Sequence, residues 1–425
     1  MKWRNQLLAL FCLLVFLAFG VFYFQYWVIQ KPFGIIIFIA EGLDAQTLAE
    51  ARVFAGNKDH TLALDSFPYT ALLRNRSADS AVPDLAAAAT ALATGVRVPN
   101  GTVAMSTTGQ PLTSLLELAQ GSGRITGLIT DGKITAPTAA AFYGHARSDD
   151  AEIDFARQLS ETTALDVILG GGASEFLPAA QGGRRSDDRD LVSMFRKADF
   201  VIIQSLAELE EVPRWPRAKL FGLFREEELP LVSDAATTKD QPTLTDMVRR
   251  GIELLQFHRG GYLLVVDASL MRKARAPGRS ELRMEEVMEF NRAVTVATEY
   301  AGKKSAIIVC GDVADRSGTS PISPSPEAAP QEEKAPPSDE ESITRTPELM
   351  DLSAVSSSQD LGQRVKTDAS SATRLFLVKD FPVPTVPDRT EFPEDVPAFG
   401  MGLGANALHG SRDSTAVFEM IRENL

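Results

Sequence analysis

Three acidic side chains stand at the ends of strand-like apolar runs. Phe33 to Ala40 leads into Glu41-Gly42, Gly261 to Val266 leads into Asp267, and Ser305 to Gly311 leads into Asp312. Uninterrupted runs of this kind read as parallel strands buried on both faces, and open α/β sheets bind ligands at the edge where such strands end. Carboxylates delivered there are oxygen donors suited to a hard cation. For Glu41 a metal ligand and an ordinary strand-end acid remain equal readings. The second chemical candidate is Val82 to Gly95, a helix of small residues. Pro83-Asp84 sets its start, Gly95 its stop, and its N-terminus is a natural seat for a phosphate group. Read as structure alone, it is a helix that packs closely on a sheet.

The intervening elements follow from the same patterns. Arg124 to Thr130 is a strand leading to the segment Ile134 to His145, and Asp166 to Leu169 is a strand running into Gly170, Gly171 and Gly172. Those glycines point to a phosphate loop only weakly, because no Lys-Ser/Thr follows them. Val201 to Ile203, Lys219 to Phe224, Arg374 to Val378 and Glu394 to Phe399 are further strands. Amphipathic helices are expected from Pro242 through Gln256 and from Thr415 to Asn424. Arg272 to Arg279 carries four cations and, read alone, is a solvated basic loop.

The chain has 425 residues, 44% of them hydrophobic, and a formal net charge of −13. That length suffices for one large domain with a full core. The acidic balance argues against nucleic acid as a partner. Leu7 to Ile29 is uncharged and suits a membrane-spanning helix, with Tyr23, Tyr26 and Trp27 as an interfacial belt. Lys2 and Arg4 favour a cytoplasmic head, which places the bulk of the chain on the extracytoplasmic (periplasmic) side. A cleaved signal is the competing reading. Cys12 lies in the apolar run and Cys310 in a strand, so no disulfide is expected. From Arg316 to about Ala372, proline, serine and glutamate dominate, which reads as a disordered insertion. The expected organisation is therefore residues 1–31 as head and anchor, and 32–425 as one domain interrupted at about 316–372.

Several motifs together resemble the alkaline phosphatase family. Asp84 to Gly101 aligns without a gap to its nucleophile helix, Ile134 to His145 to a metal-linked segment, Asp166 to Gly172 to a scaffold strand, Asp267 to Asn291 to a ligand-bearing strand and helix, and Glu394 to Gly410 to its last strand and turn. The resemblance implies a three-layer α/β/α sandwich around a mostly parallel central sheet. It also marks what has changed. The nucleophile position is Leu85, which has neither a proton to lose nor a lone pair to attack with. Positions implied for zinc ligands are Arg272, Ala276, Val313 and Glu391, a neighbouring metal-site position is Ala136, and the phosphate-clamping arginine is Asp149, with Arg147 nearby. The four histidines, His60, His145, His258 and His409, fall on none of these positions. Oxygen donors survive at Glu41, Thr138 and Asp267, a residual magnesium site by resemblance, with Asp312 nearby.

These departures lead to an expected membrane-anchored pseudoenzyme that acts as a binding or structural protein. Arg272 and Glu391 are expected to fill the pocket, with Arg272 pairing with Asp312 or Glu391. No cofactor is expected, or at most one magnesium. The expected partners are the membrane through the N-terminal helix and an unidentified protein; a homodimer is suggested by resemblance. The competing reading is a divalent-metal-dependent phosphatase with a rearranged site. A phosphate sensor is disfavoured by the lost arginine clamp.

Overall fold

The computed structural model describes residues 2–23, 33–56, 61–162, 164–215, 218–234, 239–274, 280–302, 304–312 and 395–425. The expected insertion and the expected strand Arg374–Val378 lie outside them. Ten strands are present: β1 (Gly34–Glu41), β2 (Tyr69–Arg74), β3 (Ile125–Lys133), β4 (Val167–Gly171), β5 (Phe200–Ile203), β6 (Lys219–Leu223), β7 (Tyr262–Ala268), β8 (Ala306–Asp312), β9 (Val396–Gly402) and β10 (Gly410–Asp413). They form one sheet in the order β10-β2-β9-β8-β1-β7-β3-β4-β6-β5. β9 runs antiparallel to β2 and β8, and the other pairings are parallel.

Twelve described helices accompany the sheet: α1 (Lys2–Tyr23), α2 (Ala45–Phe54), α3 (Leu85–Thr94), α4 (Leu115–Gly121), α5 (Pro137–Ala140), α6 (Glu152–Thr162), α7 (Leu191–Lys197), α8 (Leu206–Glu211), α9 (Leu244–Leu255), α10 (Leu270–Lys273), α11 (Ser280–Tyr300) and α12 (Ala416–Asn424). β1 shows why its sequence is apolar throughout. Ile35, Ile37 and Ile39 join one hydrophobic cluster with α3, α4, α6, α7 and α12, while Ile36, Phe38 and Ala40 join a second with α2, α9 and α11. Two helical layers thus cover the two faces of the sheet, giving the expected α/β/α sandwich.

β2 and β10 were not legible in the sequence. β2 alternates between buried and exposed positions over only six residues, and β10 is four residues long and partly exposed. Helix α1 begins before the expected span. Lys and Arg are good helix formers, so Lys2 and Arg4 continue the helix rather than stopping it. Trp3–Val21 is apolar and long enough to cross a membrane. Tyr26 and Trp27 lie outside the described residues.

Helix α3 has the boundaries its residues dictate. The Asp84 carboxylate accepts from the Ala87 N–H at 2.8 Å, and Gly95 closes the helix with φ 71°. A side chain at Gly95 would be strained by that left-handed backbone, and its Cβ would stand 2.5 Å from Cδ1 of Phe418 on α12. We expect Gly95→Ala to lower the unfolding free energy by about 2 kcal/mol, read as a shift in the urea midpoint; an unchanged midpoint would contradict this packing.

Glu286 on α11 is buried, and its carboxylate accepts from the Val232 N–H at 2.6 Å. Burial first, opposed by that hydrogen bond and reinforced by the charges of Asp131, Glu289 and Glu285, pushes its carboxyl up to about 8. The folded state therefore holds a proton that the unfolded chain releases near the ordinary value of 4.5. Stability from this group falls as pH rises from that value to about 8 and is level above it. Chemical denaturation between pH 5 and 8 should show this decline reduced in Glu286→Gln; an equal or steeper decline in the variant would refute the assignment.

Candidate functional site

The ends of the central strands converge on a buried polar cluster. Glu41 closes β1 and is 1% exposed. Its Oε1 accepts from the Thr138 hydroxyl at 2.6 Å, and its Oε2 accepts from Nε of Arg272 at 2.7 Å. Asp267, on β7, sits in register with Ile39 on β1 and with Thr130 on β3. Its Oδ2 accepts from the Thr130 hydroxyl at 2.8 Å, while Oδ1 is buried without a hydrogen-bond partner among the described residues. Asp312 ends β8 opposite Glu41.

Local sequence explains how these groups arrive. Pro137 stands in the first turn of α5, where its fixed φ and missing N–H are tolerated, and the next residue is Thr138. Gly42 has φ 84°, and a Cβ there would meet the backbone and Cβ of Arg272 at 3.4 and 3.5 Å. The glycine allows α10 to lie against the end of β1, which turns Arg272 inward. The Arg272 side chain is 23% exposed.

A third carboxyl belongs to the cluster. Oδ1 of Asp131 accepts from the Ser269 N–H at 2.7 Å, the Ser269 hydroxyl at 3.1 Å and the Leu270 N–H at 3.2 Å. These bonds fix the turn between β7 and α10. Burial dominates its titration and pushes the carboxyl up to about 7, against the pull of those donors and with help from the charge of Glu41. Asp267 is held well above the usual carboxylate range, first by burial and then by the charges of Glu41 and Asp131; Thr130 and Arg272 act in the opposite direction. Sequence reasoning missed Asp131. The available signal was Thr130-Asp131, a polar pair following an apolar strand at the same sheet edge as Glu41.

The structure brings Glu41, Thr138, Asp267 and Arg272 together. Arg272 turns inward and pairs with Glu41, where Gly42 brings α10 to the end of β1; the expected pairing with Asp312 or Glu391 involves side chains outside the described residues. The Asp312 side chain and residues Ala276, Val313 and Glu391 lie outside what is described. Leu85 opens α3, which packs against α5 and β8. Ala136 offers no polar group at the start of α5.

At the N-terminus of α3, read from the sequence as a candidate phosphate seat, the chain's own Asp84 is the cap. Its carboxylate accepts from the N–H groups of Ala87 and Gly101. Burial chiefly raises the Asp84 carboxyl, and the nearby charges of Asp149 and Asp79 add to the effect. An incoming phosphate would meet this negative field. The Arg147 guanidinium lies against Gly109. The described histidines serve local structure: Nδ1 of His145 lies 2.9 Å from the Ala104 carbonyl, that of His258 3.3 Å from the Gly261 carbonyl, and that of His409 3.2 Å from the Asn406 carbonyl.

Comparison with known proteins agrees with this architecture. The tissue-nonspecific alkaline phosphatase of Gallus gallus is 28% identical over 323 residues, which cover 65% of this chain and 62% of that protein. Alkaline phosphatase 3 of Bacillus subtilis is 28% identical over 287 residues, covering 65% of this chain and 59% of the relative. The chain thus spans about three-fifths of the length of these curated relatives. Among solved structures, the alkaline phosphatase of the Antarctic bacterium TAB5 has the same fold, with a TM-score of 0.67 at 18% identity, covering 93% of this chain and 98% of that one. The cold-active enzyme from Shewanella sp. gives 0.65 at 23% identity, covering 92% and 99%. The family model described as alkaline phosphatase matches residues 34–425, and the chain belongs to the alkaline phosphatase family.

Proposed function

We propose that this chain is a membrane-anchored member of the family that has given up phosphate-ester hydrolysis and works by binding or scaffolding. The observation that carries this reading is the Arg272–Glu41 pair. A fixed guanidinium lies 2.7 Å from the carboxylate that ends the central strand, in the cluster where the family resemblance implies divalent cations. Leu85 supports the reading independently, because an aliphatic side chain cannot form a phospho-enzyme.

The donor chemistry does not fit a pair of zinc ions. Zinc sites gather nitrogen, sulfur and carboxylate ligands around one point, whereas Leu85, Ala136, Arg272, Ala276 and Val313 supply none. For magnesium the donor type does fit. Glu41, Thr138 and Asp267 would hold it, and Oδ1 of Asp267, without a hydrogen-bond partner among the described residues, favours this second reading. Bound there, the ion would polarise a phosphoryl oxygen and orient water. The positive charge of Arg272 on Glu41 opposes such binding, as does the elevated carboxyl of Asp267, which must lose its proton to ligate.

In this reading α1 anchors the chain in a cell membrane as a single pass, with the folded body on the extracytoplasmic side. The body presents its pocket to a protein partner, and the family likeness supports pairing with a second copy. Nucleic acid is not a partner for so acidic a chain. The test is hydrolysis of p-nitrophenyl phosphate by the purified full chain supplied with zinc and magnesium. We expect rates equal to the protein-free blank for both the native chain and Asp267→Ala. Turnover by the native chain that disappears in Asp267→Ala would carry the magnesium reading instead.

A further inference from the structure

We propose that the edge of the sheet where the parallel strands begin is a membrane-contacting surface, seated on the bilayer interface by Trp215, Phe257 and Tyr300. This inference rests on the reading of α1 as a membrane anchor. Each of the three aromatics immediately precedes a parallel strand: Trp215 comes four residues before β6, Phe257 five before β7, and Tyr300 six before β8. All three strands point the same way in the sheet, so all three side chains stand at one edge. They are exposed by 78%, 56% and 38% respectively. Arg259 and Lys304 are exposed at the same edge, as are the acidic Asp199 and Glu299.

Exposed aromatics ahead of three parallel strands at one edge are not expected of a surface that meets only water. Tryptophan and tyrosine, with an apolar body and a polar tip, suit the boundary between headgroups and acyl chains, and nearby cations suit anionic headgroups. The tether identifies the occupant. The chain enters the fold at Phe33, whose N–H donates to the Lys304 carbonyl at 2.7 Å and whose carbonyl accepts from the Tyr262 N–H at 3.1 Å. That entry lies within the edge itself. Residues 24–33 join α1 to β1 and reach about 35 Å at full extension. Any membrane that holds α1 is therefore near this edge. The opposite edge, with Glu41 and Arg272, lies one strand length further from the point where the tether enters.

Fluorescence of the full chain in vesicles of phosphatidylcholine and phosphatidylglycerol tests the proposal, with bromine on the acyl chains close to the headgroup as quencher. The chain has three tryptophans. The Trp3→Phe/Trp27→Phe variant leaves Trp215 as the reporter of the edge, and Trp27→Phe/Trp215→Phe leaves Trp3 as the reporter of the anchor. Flotation with the vesicles checks that each variant is anchored. We expect both reporters to lose about half their emission relative to unbrominated vesicles. Quenching of Trp3 with Trp215 unchanged would overturn the membrane-contacting surface and leave the anchor standing. Absence of quenching at both would overturn the anchor reading and this proposal together.

Discussion

A carboxylate at the end of a fully buried strand must be compensated. Glu41 cannot reach bulk water, because β1 lies between β7 and β8 and is covered on both faces. Unpaired, its charge would be costly. The chain compensates it with a hydroxyl from Thr138 and a guanidinium from Arg272, and much of the local architecture serves that purpose. Gly42 clears space for α10, Asp131 ties the turn that launches α10, and Pro137 starts the short helix that carries Thr138. The central strands of the family fold thus end on an internal ion pair. The same logic accounts for Asp131 and Asp267, whose burial beside Glu41 favours their neutral forms.

The N-terminus of α3 shows a parallel substitution. Free N–H groups at a helix start attract anions, and here Asp84 satisfies one of them, that of Ala87, together with the Gly101 N–H, while Asp149 and Asp79 add negative charge nearby. Leu85 stands beside Asp84 as the first residue of α3.

Much of this was legible in the sequence because a parallel strand covered on both faces leaves an unbroken apolar run. β1, β7 and β8 announce themselves in this way, and the acid that follows each marks the functional edge. β2 and β10 did not, since one is short and alternating and the other has only four residues. The inward turn of Arg272 followed from its position in the aligned motif. Its contact with Glu41 did not, because the approach of α10 to β1 depends on a left-handed glycine whose consequence is tertiary. Asp131 went unread for a related reason: its role is to bond backbone N–H groups more than a hundred residues away. No local pattern encodes that contact.

The most direct test is a double-mutant cycle on the ion pair, measured by equilibrium denaturation of the native chain, Arg272→Met, Glu41→Gln and the double variant. If the guanidinium is what makes a buried Glu41 tolerable, Arg272→Met should lower stability by about 2 kcal/mol, less than a fully buried pair because Arg272 is partly exposed. Adding Glu41→Gln should return most of that loss, giving a coupling of at least about 1 kcal/mol. Strictly additive effects, or an Arg272→Met variant as stable as the native chain, would contradict the account.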